Sequence, residues 1–289
     1  MNAIGISAQV PATRSRLRLD AVSRLVRQSG ATASAARHLP AALLRTGTTL
    51  LPVTGAPDHS HPATGHAPVV LVHGYAASLD CWSTLAGDLS RHGFDDIHAF
   101  AYNGVVSGPF EVARSLAENV ASLVQRTGAD GVHLVGHSLG GIVVRLAVEY
   151  GGLWDRTTTV VTITTPHRGT PLAWAAPGPS GRWMRPGMTV LAEPSHSGTE
   201  AGPRYVNFYG AHDAVVPPSS ARLDVARVTD ICIERSGHLG ATRADEVRDR
   251  LPVELSAAEA ARRMPAPVLP RRVARPTHPL AMTTGRRAA

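Results

Sequence analysis

Short apolar runs alternate with stretches of helical periodicity from about residue 67 to residue 251. PVVLVHG (68–74) is an apolar run closed by glycine, and SLDCWSTLAGDLSRHG (78–93) then places Leu79, Trp82, Leu85 and Leu89 three or four residues apart behind Ser78, a candidate N-cap. That is a strand followed by a helix. The alternation continues with IHAFAY (97–102), a helix near 110–126 carrying Val112, Leu116, Val120 and Leu123, and VHLVG from residue 132 with a second apolar-periodic segment behind it. TTTVVTITT (157–165), RYVNFYG (204–210) and RVTDICIE (227–234) read as further strands, and a last helix is expected near 242–251. Strands alternating with helices predict the α/β class, with a mostly parallel central sheet covered by helices on both faces.

The flanking segments lack this alternation. Residues 252–289 are rich in Pro, Arg and Ala and are expected to be a disordered tail, since they offer little apolar surface to offset ordering entropy. Residues 1–66 form a basic segment, partly helical, with Leu19, Val22, Leu25 and Val26 spaced for an amphipathic helix over 14–28 that packs on the domain edge. The expected organisation is therefore 1–66, a domain over 67–251, and 252–289.

Charge sharpens this division. The formal net charge is +7, yet residues 1–66 and 251–289 contribute +5 each and residues 67–250 carry −3. A nucleic-acid-binding core would be expected to carry its own basic face, so nucleic acid is excluded as the partner of the domain. The basic termini instead suggest peripheral contact with a membrane. The first 30 residues have no uninterrupted apolar region followed by a small-residue cleavage site, and no run approaches a membrane span. The expected location is cytoplasmic or peripherally membrane-associated. Cys81 and Cys232 are too few for a disulfide scaffold and are expected to be unpaired, and no residue set suggests a metal or organic cofactor. His59, His61 and His66 sit in a Pro/Gly-rich linker without a completing carboxylate or thiolate.

The junction of strand and helix at 132–150 carries the chemistry. Gly136, His137, Ser138, Leu139 and Gly140 form Gly-x-Ser-x-Gly at the end of an apolar run, a turn that lifts a serine to the rim of a sheet at a helix N-terminus. A serine hydroxyl is a weak nucleophile without a base, so a histidine and an orienting carboxylate are required further along the chain. Asp213 follows the strand at 204–210 and His238 follows the strand at 227–234, giving the order Ser, Asp, His with each residue in a loop after a strand. Asp224 and Glu234 are the fallback acids, and His212 is read as a neighbour shaping the loop. For the oxyanion, the amide of Leu139 directly follows the nucleophile, while Gly74 lets the chain turn so that the amide of Tyr75 can point inward.

VLVHGY, LVGHSLGG, TITTPHRGTPLA, GAHDAVVPP and SGHLG, in that order, resemble the α/β-hydrolase fold, in particular the bacterial lipases and esterases of actinobacterial type. The resemblance covers roughly residues 67–251. It implies Ser138, Asp213 and His238 as catalytic triad, Tyr75 and Leu139 as oxyanion residues, and His73, Gly74, Thr165, Pro166 and His167 as pocket-lining or structural. Between the strand ending near Thr165 and the next, residues 171–204 include 11 Gly or Pro among 34 residues, which predicts a flap with only a short helix near Met188–Glu193. Trp174, Trp183, Met184, Met188 and Leu191 would give it an apolar side suited to an acyl chain, so a small-molecule ester or lipid of short or medium chain is the expected substrate. The same triad would also serve a thioesterase, an amidase or an acyltransferase, and a non-catalytic binding protein with a hydrolase shell is the alternative of another class.

Overall fold

The computed structural model describes residues 48–53, 65–188, 202–225 and 227–263. Seven strands form one sheet: β1 (Thr49–Pro52), β2 (Val69–Val72), β3 (Ile97–Ala101), β4 (Val132–His137), β5 (Thr157–Ile163), β6 (Arg204–Gly210) and β7 (Val228–Ile233). Their spatial order is β1-β3-β2-β4-β5-β6-β7, and every pairing is parallel except that of β1 with β3. The helices are α1 (Ser83–Arg91), α2 (Pro109–Thr127), α3 (Leu139–Tyr150), α4 (Gly178–Trp183), α5 (Pro218–Ala221) and α6 (Asp245–Arg263).

The two-residue period of the strands divides the interior into two layers. Val70 and Val72 of β2 pack with Phe100, Leu134 and Val160 against Val112, Leu116 and Val120 of α2 and the apolar length of α3. Val69 and Leu71 face the other way, joining Val161, Val206 and Phe208 against Leu85 and Leu89 of α1 and Val247, Leu251 and Leu255 of α6. Helix α2 begins with Pro109, where a missing N–H costs nothing, and ends at Gly128, which takes φ 65 and donates its amide to Val124.

The chain departs from the sequence expectation at both ends of the domain. β1 lies inside the segment expected to be a basic, partly helical terminus. It is only four residues long and sits mostly exposed at the sheet edge, so it has no alternation long enough to read. At the other end α6 runs twelve residues past 251. Leu255 and Ala258 extend the buried face of the helix across Pro252, so the expected tail begins with an ordered, docked segment. Ser78 precedes a 3-10 turn, Leu79–Trp82, rather than capping α1 directly. The helices expected over 14–28 and, apart from Met188 itself, over 188–193 lie outside the described residues, as do His59, His61 and Leu191. Cys81 and Cys232 are not bridged.

Candidate active site

The strand order puts β3 on one side of β2 and β4 on the other, so the chain reverses its direction of winding between β2 and β4. In open parallel sheets a crevice forms at the carboxyl ends of such a pair. Tyr75 follows β2 there and Ser138 follows β4.

Ser138 adopts φ 54 and ψ −122, a region costly for a residue with a side chain, and its amide donates to Ile163 O of the neighbouring β5 at 2.9 Å. The turn closes only because its flanks are bare. A Cβ on Gly136 would lie 2.5 Å from the backbone of Gly140, and one on Gly140 would lie 2.0 Å from Val72 O, well inside contact distance. Gly74 is as constrained from the opposite side, since a Cβ there would meet Ser138 Cβ at 3.0 Å. As the first residue of α3, Leu139 has no carbonyl four residues back within the helix, so its N–H is available to an acceptor in the crevice.

Three loops from three strand ends meet at this serine. His238 Nε2 lies 2.9 Å from Ser138 Oγ, and His238 Nδ1 lies 2.7 Å from Asp213 Oδ2. Asp213 Oδ1 accepts the amides of Val215 at 2.8 Å and Val216 at 2.9 Å. Burial works to raise the Asp213 carboxyl, but the bond and charge of His238 and these two amides outweigh it and hold the group below the usual carboxylate range. An ionised carboxylate only accepts, so the proton of the neutral imidazole sits on Nδ1 and its Nε2 lone pair faces the serine hydroxyl. The arrangement can therefore take a proton from Ser138 and stabilise the imidazolium that results. The fallback acids lie elsewhere: Asp224 is exposed and pairs with Arg168, and Glu234 is exposed, as is His212.

The other residues singled out in the sequence are placed unequally. His73 is buried and stacks on Tyr102 with ring centroids 4.3 Å apart, behind the crevice. The Tyr75 hydroxyl donates to Pro177 O at 2.7 Å, tying the expected oxyanion turn to the flap, and Ser180 Oγ donates to Ser107 O at 2.9 Å on the same seam. Within the flap, Trp174 is 59% exposed beneath the guanidinium of Arg185, and with Trp183 and Met188 it lines an open groove of about 450 Å³ that Arg182 borders. Met184 turns inward and joins the core beside α2 and α3.

Pro166 is buried, and His167 points into the interior, where it organises a network that the sequence reading missed. Arg145 donates to His167 Nδ1 at 3.0 Å, and since arginine has no acceptor, Nε2 must carry the histidine's proton, which it directs at Thr162 Oγ1, 3.2 Å away. Thr162 donates on to Asn207 Oδ1, and Asn207 Nδ2 to Asp230 Oδ1. Burial first, and the Arg145 cation second, keep His167 well below an ordinary histidine pKa, so it is neutral. Arg145 within IVVRLAV, paired at 3.4 Å with Glu149 one turn further along the helix, is the sequence signal of this network, because charge on the buried length of a helix requires buried partners.

The profile of the alpha/beta hydrolase fold family matches residues 67–222. Among curated proteins, a triacylglycerol lipase of Pseudarthrobacter phenanthrenivorans is 34% identical over 114 residues, 37% of this chain and 35% of that protein. A triacylglycerol lipase of Burkholderia plantarii is also 34% identical over 114 residues, 37% of this chain and 31% of that one. The chain thus spans about a third of the length of the curated relatives it matches. Among solved structures, the mature form of a Bacillus licheniformis lipase superposes with a TM-score of 0.60 at 17% identity, over 72% of this chain and 98% of that one. Aspergillus fumigatus lipase B superposes at 0.55 with 16% identity, over 67% and 52%.

Proposed function

The chain belongs to the alpha/beta hydrolase fold family, and from that premise we propose that it is a carboxylic ester hydrolase of lipase or esterase type, acting through Ser138, His238 and Asp213. One observation carries this reading: an unbroken hydrogen-bonded line from Asp213 through His238 to a serine held in a strained turn at a helix N-terminus. The 34% identity to two triacylglycerol lipases supports an ester as the substrate class.

In the first half-reaction Ser138 Oγ attacks the acyl carbon while its proton passes to His238 Nε2. The carbonyl oxygen takes up the negative charge and is held by the amides of Tyr75 and Leu139. The ester C–O bond then breaks, and the departing alkoxide takes the proton from His238 and leaves as the alcohol, with the acyl group on Ser138. Water enters, gives its proton to His238 and attacks the acyl carbon; Ser138 departs, regains that proton, and the carboxylic acid is released. Asp213 holds the imidazole in the required tautomer throughout and remains ionised. Trp174, Trp183 and Met188 give the flap an apolar surface, beside Arg182 and Arg185, that suits a short or medium acyl chain.

The test is turnover of p-nitrophenyl butyrate, p-nitrophenyl palmitate and an acyl-CoA thioester by wild type and Ser138→Ala. Wild type is expected to hydrolyse the butyrate fastest, and the variant to lose roughly 10⁶-fold in kcat, the scale of nucleophile loss in such triads. Turnover of the thioester alone would contradict the ester assignment, and an active Ser138→Ala would contradict the nucleophile.

A further inference from the structure

Resting on that reading, we propose that His137 is a positioning residue for His238: its Nε2–H donates to the main-chain carbonyl of His238 and fixes the loop that carries the base. His137 is the last residue of β4 and immediately precedes Ser138. Its Nε2 lies 3.0 Å from His238 O, and the two rings pack with centroids 5.1 Å apart. A carbonyl oxygen only accepts, so Nε2 carries the proton and Nδ1 is left as a bare lone pair. That Nδ1 is buried and has no hydrogen-bond partner among the described residues. Gly74 closes over it, since a Cβ there would lie 3.2 Å from Nδ1 and 3.0 Å from Ser138 Cβ.

This arrangement is a poor device for stability. A buried acceptor left unsatisfied is costly, and a phenyl ring at 137 would fill the same space without it. What only the histidine supplies is the bond to His238. The imidazole of His238 is bonded at Nδ1 to Asp213, on a different loop, and at Nε2 to Ser138 Oγ, the group whose proton it would take, so only the Asp213 bond steadies the ring independently of the nucleophile. A second bond, to its own main chain and from the residue adjoining the nucleophile, sets the separation of His238 Nε2 and Ser138 Oγ from both sides. Burial, with the charge of His238 adding to it, drives His137 down to about 3, so its ring stays neutral and the bond persists across the range in which an esterase is assayed.

The experiment compares His137→Phe and His137→Gln in the full chain. Glutamine can place an amide N–H at the same number of bonds from Cα as Nε2; phenylalanine keeps the ring and removes the donor. In His137→Phe, kcat on p-nitrophenyl butyrate is expected to fall about 10- to 100-fold, the cost of a misplacement near 1 Å. KM should stay within about twofold, since substrate contacts are untouched, and the thermal midpoint should not fall. His137→Gln should recover most of the lost rate. A readout independent of turnover is the downfield proton resonance of His238 Nδ1–H, assigned by its loss in His238→Ala. It should broaden or shift in the phenylalanine variant and return in the glutamine variant. An unchanged resonance in His137→Phe, or a rate loss that tracks a fallen thermal midpoint and is not recovered by glutamine, overturns the proposal. A responsive resonance in a wild-type protein that hydrolyses no ester would sustain the positioning role while removing the hydrolase reading.

Discussion

At the scale of single residues, the proposed chemistry depends on which protonation states the surroundings allow. Asp213 accepts two amides on one oxygen and His238 on the other, and its carboxyl is held below the ordinary range, so it can stay charged through the proton cycle proposed for the imidazole. Asp213→Asn keeps the volume but offers the wrong partner to Nδ1, and is expected to lower kcat about 10⁴-fold with little change in fold. Steady-state kinetics beside a circular dichroism spectrum checks this; a rate within tenfold of wild type would pass the role to another acid. That Ser138, Asp213 and His238 meet was legible in the sequence, because each requirement of the proposed chemistry narrowed the search to a loop after a strand. The positions of Met184 and His167 were not. An apolar or aromatic residue in a Gly/Pro-rich segment reads the same whether it faces a substrate or the core, and only packing distinguishes the two.

Among the elements, α6 illustrates how a segment with weak local signals is ordered by tertiary contacts. Its Glu259 accepts the amide of Ala67 at 2.7 Å, His133 Nε2 at 3.0 Å and His66 Nδ1 at 2.8 Å, joining the helix to the start of β4 and to the chain entering β2. Burial works to raise the Glu259 carboxyl, but the bonds from His133, Ala67 and His66 prevail and hold it down to about 2, against an ordinary 4.5. The unfolded chain therefore binds more protons between those values than the folded one. The contribution to stability is complete above about 4.5 and is lost as pH falls through about 2. Glu259→Gln should cost about 2–3 kcal/mol near neutral pH, read from urea unfolding, and should flatten the loss of stability between pH 4.5 and 2. An unchanged urea midpoint at pH 7 would show that this carboxylate anchors nothing. The sequence disclosed the long elements because their periods run for several turns or residues. It concealed β1 and the second half of α6, the first for its shortness and the second because Pro252 looks like a stop, although Leu255 and Ala258 keep the buried face going.

For the whole molecule, the residues proposed to react are brought together only by the sheet. Ser138, Asp213 and His238 are separated by as much as 100 positions, and each owes its place to the end of a different strand, β4, β6 or β7. The two packed layers fix those ends, while along the sequence the excess positive charge falls within residues 1–66 and 251–289 and residues 67–250 are mildly acidic. No helix among the described residues is long and apolar enough to cross a membrane. Reaction at Ser138 should accordingly be a property of the folded sheet and not of the local motif. The most direct measurement is covalent labelling by a fluorophosphonate, followed by intact mass and peptide mapping, on native and urea-unfolded wild type and on native His238→Ala. One adduct per chain is expected, on Ser138, in the native protein alone. An adduct on another residue, or undiminished labelling of Ser138 in His238→Ala, would contradict this expectation.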